Sequence, residues 1–179
     1  RAITCVAVNT AKNLIAFGDK RGAIMIYHPS GSHSLLHWHP VTCTSIDFST
    51  DGNYLYSVAN DGVMCMWNVS KGTRMSHFPC GQPLNFVTVS PKQDSCLIVT
   101  AGNQVLKIDL HGNKDKFNVQ GILAHRNPMR VPLQLAVHPT SGEVSITGSN
   151  VLQWYDIDND RETKRSIIQY KALTYNPSR

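Results

Sequence analysis

The stretch SVANDGVMCMWNV, Ser57 to Val69, decides the reading of this chain. It reads as two strands joined by an Asp-Gly turn at Asp61-Gly62, because alternating apolar runs on either side of such a dipeptide form a hairpin. The second strand closes on a large aromatic, Trp67, followed by Asn68. The same plan recurs in four stretches, beginning at Ile3, Cys43, Leu84 and Pro132. Each opens with an alternating apolar segment. A polar turn follows, such as STDGN, SPKQD or HPTSG. A second strand, a short turn and a third strand ending in a bulky apolar residue complete the unit. Those last residues are Tyr27, Trp67, Ile108 and Tyr155, spaced 40, 41 and 47 residues apart.

A period of this size built from short strands is the signature of a WD-type propeller blade. One four-stranded blade cannot bury both of its faces, so it must stack on neighbours. The alternation places Val6 and Val8, Ile46 and Phe48, Val87 and Val89, and Leu135 and Val137 on equivalent faces. A fourth strand per blade is expected within SLLHW, TRMSHF, KFNVQGIL and TKRSIIQY. The predicted fold is therefore all-β, a WD40-type propeller of about four blades, each with four antiparallel strands. The blades run approximately over 1–38, 39–80, 81–130 and 131–179. Closed rings usually have about seven blades, so these four are expected to form part of a larger or composite propeller.

The second repeat carries a polar set. His39 precedes its first strand, Ser57 lies in the second, Asp61 stands at the turn and Trp67 ends the third. Residues of these types at these spacings can form a buried hydrogen-bond chain, with the indole N–H donating and the carboxylate accepting. The expected role is structural. In the other repeats Arg21, Gly102 and Ser149 replace the Asp, so hydrophobic packing must hold those blades.

Composition narrows the remaining classes. The 179 residues are 41% hydrophobic, with a formal charge of +5, which suits a globular domain and permits an RNA or acidic-protein partner without demanding one. No run is long enough to span a membrane, and RAITCVAVNT does not have the form of a signal peptide. Lacking an initiator Met, the natural protein is expected to extend further on that side. The five cysteines, Cys5, Cys43, Cys65, Cys80 and Cys96, form no C-x-x-C pair. They read as reduced core thiols of a cytosolic or nuclear protein.

Catalytic motifs are missing from the sequence: it has no G-x-S-x-G, no H-E-x-x-H and no Gly-rich phosphate loop. His37 and His39 flank Trp38, and alternate strand residues share a face, yet no further ligand follows at metal spacing. Neither a metal, a cofactor nor a small-molecule substrate is expected. Basic residues cluster in connections. Lys114, Lys116, Arg126 and Arg130 are candidate contacts for RNA phosphates or a partner protein, with an ordinary solvated surface as the competing reading.

The segments ITCVAV, SLLHWHPVTCTSIDFSTDGNYLYS, LNFVTVSP, NVQGIL and VLQWYDI, in this order, resemble the WD repeat-containing protein 75 family. The Leu-His-Trp-His before the second blade and the Gln-Gly-Ile-Leu after the third point to that one family. WD spacing alone does not. The resemblance implies a non-enzymatic scaffold, a UtpA subunit of the small-subunit processome in the nucleolus of the nucleus. Its implied partners are other processome proteins and the 5′ external spacer of pre-ribosomal RNA. Its implied work is early pre-ribosomal RNA cleavage and ribosomal RNA transcription. The family has two propellers and a helical C-terminal region, of which this chain covers a part. The alternative is a generic WD40 adaptor in ubiquitin ligation, trafficking or chromatin.

Overall fold

A computed structural model describes residues 2–102, 104–110, 119–121, 134–138, 140–141, 143–147, 151–156 and 161–167. Sixteen strands occur among them: β1 (Ile3–Asn9), β2 (Leu14–Asp19), β3 (Ala23–Tyr27) and β4 (His33–His37); β5 (Cys43–Phe48), β6 (Tyr54–Ala59), β7 (Val63–Asn68) and β8 (Thr73–Pro79); β9 (Leu84–Val89), β10 (Ser95–Thr100), β11 (Val105–Asp109) and β12 (Val119–Gly121); β13 (Gln134–Val137), β14 (Glu143–Thr147), β15 (Val151–Asp156) and β16 (Arg161–Ile167). They form four four-stranded antiparallel sheets, each with its strands side by side in chain order. The fold is an all-β propeller, and no helix occurs among the described residues. The chain divides into two compact units, Arg1–Val89 and Ser90–Arg179. The first holds two complete blades and strand β9. The second holds β10 to β16.

In the first unit, the Asp-Gly turn of the opening stretch has a tight neighbour. Gly62 takes φ +77°, and a Cβ there would sit 2.9 Å from the Gln82 carbonyl oxygen. Only glycine combines that angle with that clearance. The turn thus lies flat against the segment leading into β9, and Cys80 donates its N–H to the Gly62 carbonyl at 2.8 Å.

The core of this unit lies between its two blades. Leu14, Ala16, Ile24, Ile26 and Leu36 of the first blade meet Cys43, Ile46, Phe48, Leu55, Cys65, Trp67 and Val69 of the second. Full burial of one such Leu or Ile side chain stabilises by about 1.5–3 kcal/mol. The face expected from the alternation is therefore buried at Ile46 and Phe48, and likewise at Val87 and Val89. Its counterpart in the first blade is not: Val6 and Val8 are 58% and 61% exposed.

A bulge repeats at the inner strand. The register shifts between Ile3 and Cys5 in β1 and between Cys43 and Ser45 in β5. A bulge re-aims the extra residue out of the ladder. Here it turns the hydroxyl of Thr4 toward the Cys43 carbonyl, 2.6 Å away, and that of Thr44 toward the Leu84 carbonyl, also 2.6 Å away. One residue type at one bulge position thus stitches each inner strand to the next, β1 to β5 and β5 to β9.

The second unit contains β14 and β15 with Val144, Ile146, Leu152 and Tyr155 buried, packing the middle of its last sheet. Strands β10 and β11 bury Cys96, Ile98, Val105 and Ile108.

Candidate functional site

The hairpin β6–β7 places Ser57 and Trp67 on one face, and the segment entering β5 brings His39 beside them. Trp67 Nε1 donates to Ser57 Oγ at 2.9 Å. Ser57 Oγ lies 2.8 Å from His39 Nε2, and His39 Nδ1 lies 2.8 Å from Asp61 Oδ2. One proton arrangement satisfies every group. The indole N–H donates to the serine oxygen, the serine O–H donates to Nε2, and the Nδ1 hydrogen goes to the carboxylate. Asp61 Oδ1 also accepts the Val63 N–H at 3.0 Å, which pins the turn. His39 and Ser57 are fully buried and Trp67 nearly so. Both ring nitrogens of His39 are engaged, and the partly exposed Asp61 ends the chain of bonds at the surface, so the set braces the β6–β7 hairpin against the segment entering β5.

The first blade solves the same turn differently. Arg21 stands where Asp61 stands in the second blade. The carboxylate sits two residues earlier, at Asp19, whose Oδ1 accepts from Arg21 N–H at 2.8 Å and from Ala23 N–H at 3.0 Å. Ala23 begins β3 as Val63 begins β7. The same backbone donor is thus capped from a different sequence position, a substitution that counting from the aromatic does not find.

Strand β4 ends at His37, so His39 does not alternate with it along a strand. His37 Nε2 lies 3.1 Å from the Arg21 carbonyl, and His39 is taken by Ser57 and Asp61. Among the described residues no cluster of three or more His, Cys, Asp or Glu is placed to hold a metal ion. No helix of the described residues is long and apolar enough to cross a membrane.

The inner strands β1, β5 and β9 border a cavity of about 430 Å³ lined by Thr4, Cys5, Thr44, Ser45, Asp47 and Thr88 among others. Asp47 is its carboxylate. Burial pushes its pKa up to about 6, against the opposing pull of hydrogen bonds from Val89 N–H, the Thr88 side chain and Phe48 N–H. Val89 N–H reaches Oδ2 and Phe48 N–H reaches Oδ1, both at 2.9 Å. Asp47 therefore clips β5 to β9, and among the described residues it is the one carboxylate of this lining.

At the outer edge of the second blade, register brings together residues that the linear sequence keeps apart. The Arg74 guanidinium lies 4.7 Å from the Trp38 ring centroid, the His77 ring 5.3 Å from it, and Arg74 donates to His77 Nδ1 at 2.7 Å. This partly exposed aromatic–basic cluster is a surface feature the sequence reading missed. Its one signal was the expectation that TRMSHF pairs as a strand. The candidate contacts Lys114, Lys116, Arg126 and Arg130 lie outside the described residues.

With the geometry in hand, the similarities to known proteins can be read. The model of the WD domain, G-beta repeat, matches residues 31–68, the segment that holds His39, Ser57, Asp61 and Trp67. WD repeat-containing protein 75 of Xenopus laevis is 26% identical over 178 residues, covering 95% of this chain and 21% of that protein. WD repeat-containing protein 91 of Danio rerio is 32% identical over 45% of this chain and 12% of its own length. The SIR4-interacting protein SIF2 of Saccharomyces cerevisiae is 30% identical over 42% of this chain and 14% of its own. The chain thus spans 12–21% of the length of each of these relatives. Among solved structures, the Cps50 (Swd1) β-propeller domain of Myceliophteria thermophila superposes with a TM-score of 0.79 at 17% identity, over 94% of this chain and 56% of that domain. The chain thus carries a matched WD repeat at residues 31–68 and has the β-propeller fold.

Proposed function

We propose that this protein is a non-enzymatic scaffold of the small-subunit processome, acting in the nucleolus in early pre-ribosomal RNA processing, small-subunit biogenesis and ribosomal RNA transcription. One observation carries the reading. Similarity to WD repeat-containing protein 75 runs along 95% of the chain, whereas the similarities to the other two relatives stop short of half of it. A shared repeat grammar accounts for matches the length of one or two blades. A match through all four repeats needs more than that grammar. The fold supports a docking role, because propeller loops gather on ring faces and present partners with a rigid surface.

The partners proposed are other UtpA proteins and the 5′ external spacer of the precursor RNA. Contacts to RNA would be led by phosphates, since Lys114, Lys116, Arg126 and Arg130 supply four cations, and only Phe117 and His125 stand beside them in sequence as rings on which a base could stack. Binding would weaken steeply with salt and show little sequence preference. Affinity purification of the tagged natural protein, with sequencing of the bound RNA, tests the reading. Recovery of processome subunits with 5′ precursor RNA is expected. Recovery of a ubiquitin ligase or a trafficking complex without that RNA would replace it with the adaptor reading. Imaging of the tagged protein tests the compartment, with exclusion from nucleoli as the adverse result.

A further inference from the structure

The brace in the second blade uses no sulfur, and yet two thiols meet at the seam between the first two blades. Cys5 lies on β1 and Cys43 at the start of β5, the two inner strands stitched by Thr4. Their sulfur atoms are 3.8 Å apart, at hydrogen-bonding distance. Three further features fit chemistry at this pair. First, Gly18 leaves room for it: a Cβ at that position would lie 2.5 Å from Cys5 Sγ and 2.9 Å from Cys43 Sγ. Second, the two sulfurs differ in access. Cys43 is fully buried, while Cys5 is only half-buried and lines the cavity between the inner strands. Third, the surroundings split their acidities. The hydrogen bond between the two sulfurs, with those involving Thr4 and the Gly18 backbone, holds the Cys5 thiol below its ordinary range despite burial. The bond to Cys5 and its own burial push Cys43 far up. By contrast, burial raises the pKa of Cys65 to about 12 and that of Cys80 to about 11.

We propose that Cys5 and Cys43 form a hydroperoxide-sensitive dithiol site, in which Cys5 is the attacking sulfur and Cys43 the resolving one, closing to a reversible disulfide between the first two blades. The chemistry balances with hydrogen peroxide as the oxidant. The Cys5 thiolate attacks one peroxide oxygen, the O–O bond breaks, and the departing hydroxide takes up a proton to leave as water. Cys5 is then a sulfenic acid, oxidised by two electrons. The Cys43 sulfur attacks the Cys5 sulfur, the S–O bond breaks, and the leaving hydroxide takes the Cys43 proton to form the second water. Two thiols and one peroxide become one disulfide and two waters. A reducing thiol reverses the bond. The half-buried thiol of lowered pKa meets the requirement for the attacking group, since the thiolate is the nucleophile.

The test is thiol mapping on the folded chain. The folded protein is exposed to hydrogen peroxide, then unfolded in guanidinium chloride with iodoacetamide present to block every free thiol, and the peptides are analysed by mass spectrometry without reduction. A Cys5–Cys43 linked peptide is expected, lighter than the two free peptides by two hydrogen atoms and split by dithiothreitol, while Cys65, Cys80 and Cys96 remain alkylated. In Cys43→Ser the Cys5 sulfenic acid has no resolving partner, so labelling of Cys5 by dimedone should rise several-fold over the wild type. In Cys5→Ser, Cys43 should stay alkylatable once unfolded, with no dimedone label. Circular dichroism of both variants checks that they fold. Wild-type peptides showing Cys5 still alkylated under peroxide, Cys5 as sulfenic or sulfinic acid beside a free Cys43, or Cys5 joined to any other cysteine would each overturn the proposal, and none of these three outcomes depends on a variant.

Discussion

The first and second blades share strand order and nearly the same pairing register, and they even share the bulge at Thr4 and Thr44. They differ in what fills the equivalent positions. The second blade buries Trp67 and ties it through Ser57 and His39 to Asp61. The first sets Phe17 and Tyr27 there, edge to face at 5.7 Å between ring centroids, with Tyr27 45% exposed. One blade is braced by hydrogen bonds inside a covered face. The other is held by packing on its single covered face. The lesson is that a repeat fixes geometry while its neighbours fix energetics, because the worth of a side chain depends on the surface it removes from water.

The largest expected contrast is at the aromatic itself. Trp67→Ala removes a buried ring and leaves Ser57 short of a donor, so it should cost about 3–5 kcal/mol. Tyr27→Ala, at the matching position, loses one edge-to-face contact on an open face and should cost no more than about 1 kcal/mol. Urea unfolding of both variants measures the difference. Equal losses would mean that burial does not separate these two blades.

A second contrast is electrostatic. Asp47 stands on β5 where Ala7 stands on β1, so this inner-strand carboxyl is present in the second blade alone. Its pKa rises from 3.8 unfolded to about 6 folded. A raised folded value means that the native state holds the proton more tightly. Stability is then greatest below about pH 4 for this group, falls as pH rises to about 6, and is level above that. The fall amounts to roughly 2–3 kcal/mol. Asp47→Asn should flatten that slope when unfolding is followed between pH 4 and 7. A mutant with the wild-type slope would assign the titration to another group.

What the sequence made legible follows the same division. Strand count, hairpin turns and the His39–Ser57–Asp61–Trp67 set could be read because a rigid hairpin fixes which residues face each other at a given spacing. The Asp19 cap was hidden because a carboxylate can reach one backbone N–H from either of two turn positions. The Thr4 and Thr44 stitches were hidden for another reason. An alternating pattern assumes an unbroken ladder, and the bulge that aims both hydroxyls breaks it. Exposure of Val6 and Val8 was not legible because periodicity shows that a strand has an apolar face and says nothing about what covers it. The Trp38–Arg74–His77 cluster depends on the pairing of β7 with β8, whose register shifts between Met66 and Trp67.

The turn carboxylates allow a swap between blades. Asp61→Ala strips an acceptor from both His39 and Val63 and should cost about 1–3 kcal/mol. Arg21→Ala, at the matching position, should stay within about 0.5 kcal/mol of the wild type. Asp19→Ala should cost more than Arg21→Ala, about 1 kcal/mol, since it frees two backbone donors. Thermal unfolding ranks the three. If Arg21→Ala proved the costlier of the first-blade pair, the turn would not be held by Asp19.

The smallest effect isolates burial from chemistry. Val6 on β1 and Val87 on β9 occupy the same repeat position, and each can be changed to Thr, which keeps the side-chain shape and exchanges a methyl for a hydroxyl. At Val87, 1% exposed, the hydroxyl leaves water without an assured partner, and the change should cost about 1–3 kcal/mol. At Val6, more than half exposed, the hydroxyl stays hydrated, and Thr suits a strand as well as Val does. The change there should fall within about 0.5 kcal/mol of zero. Because shape, backbone and repeat position match, the difference between the two losses reads the cover over β9 against the open face of β1. A loss at Val6 as large as that at Val87 would mean that the face of the first blade is covered in solution, and the contrast between the two blades would then lie in the hydrogen-bonded brace alone.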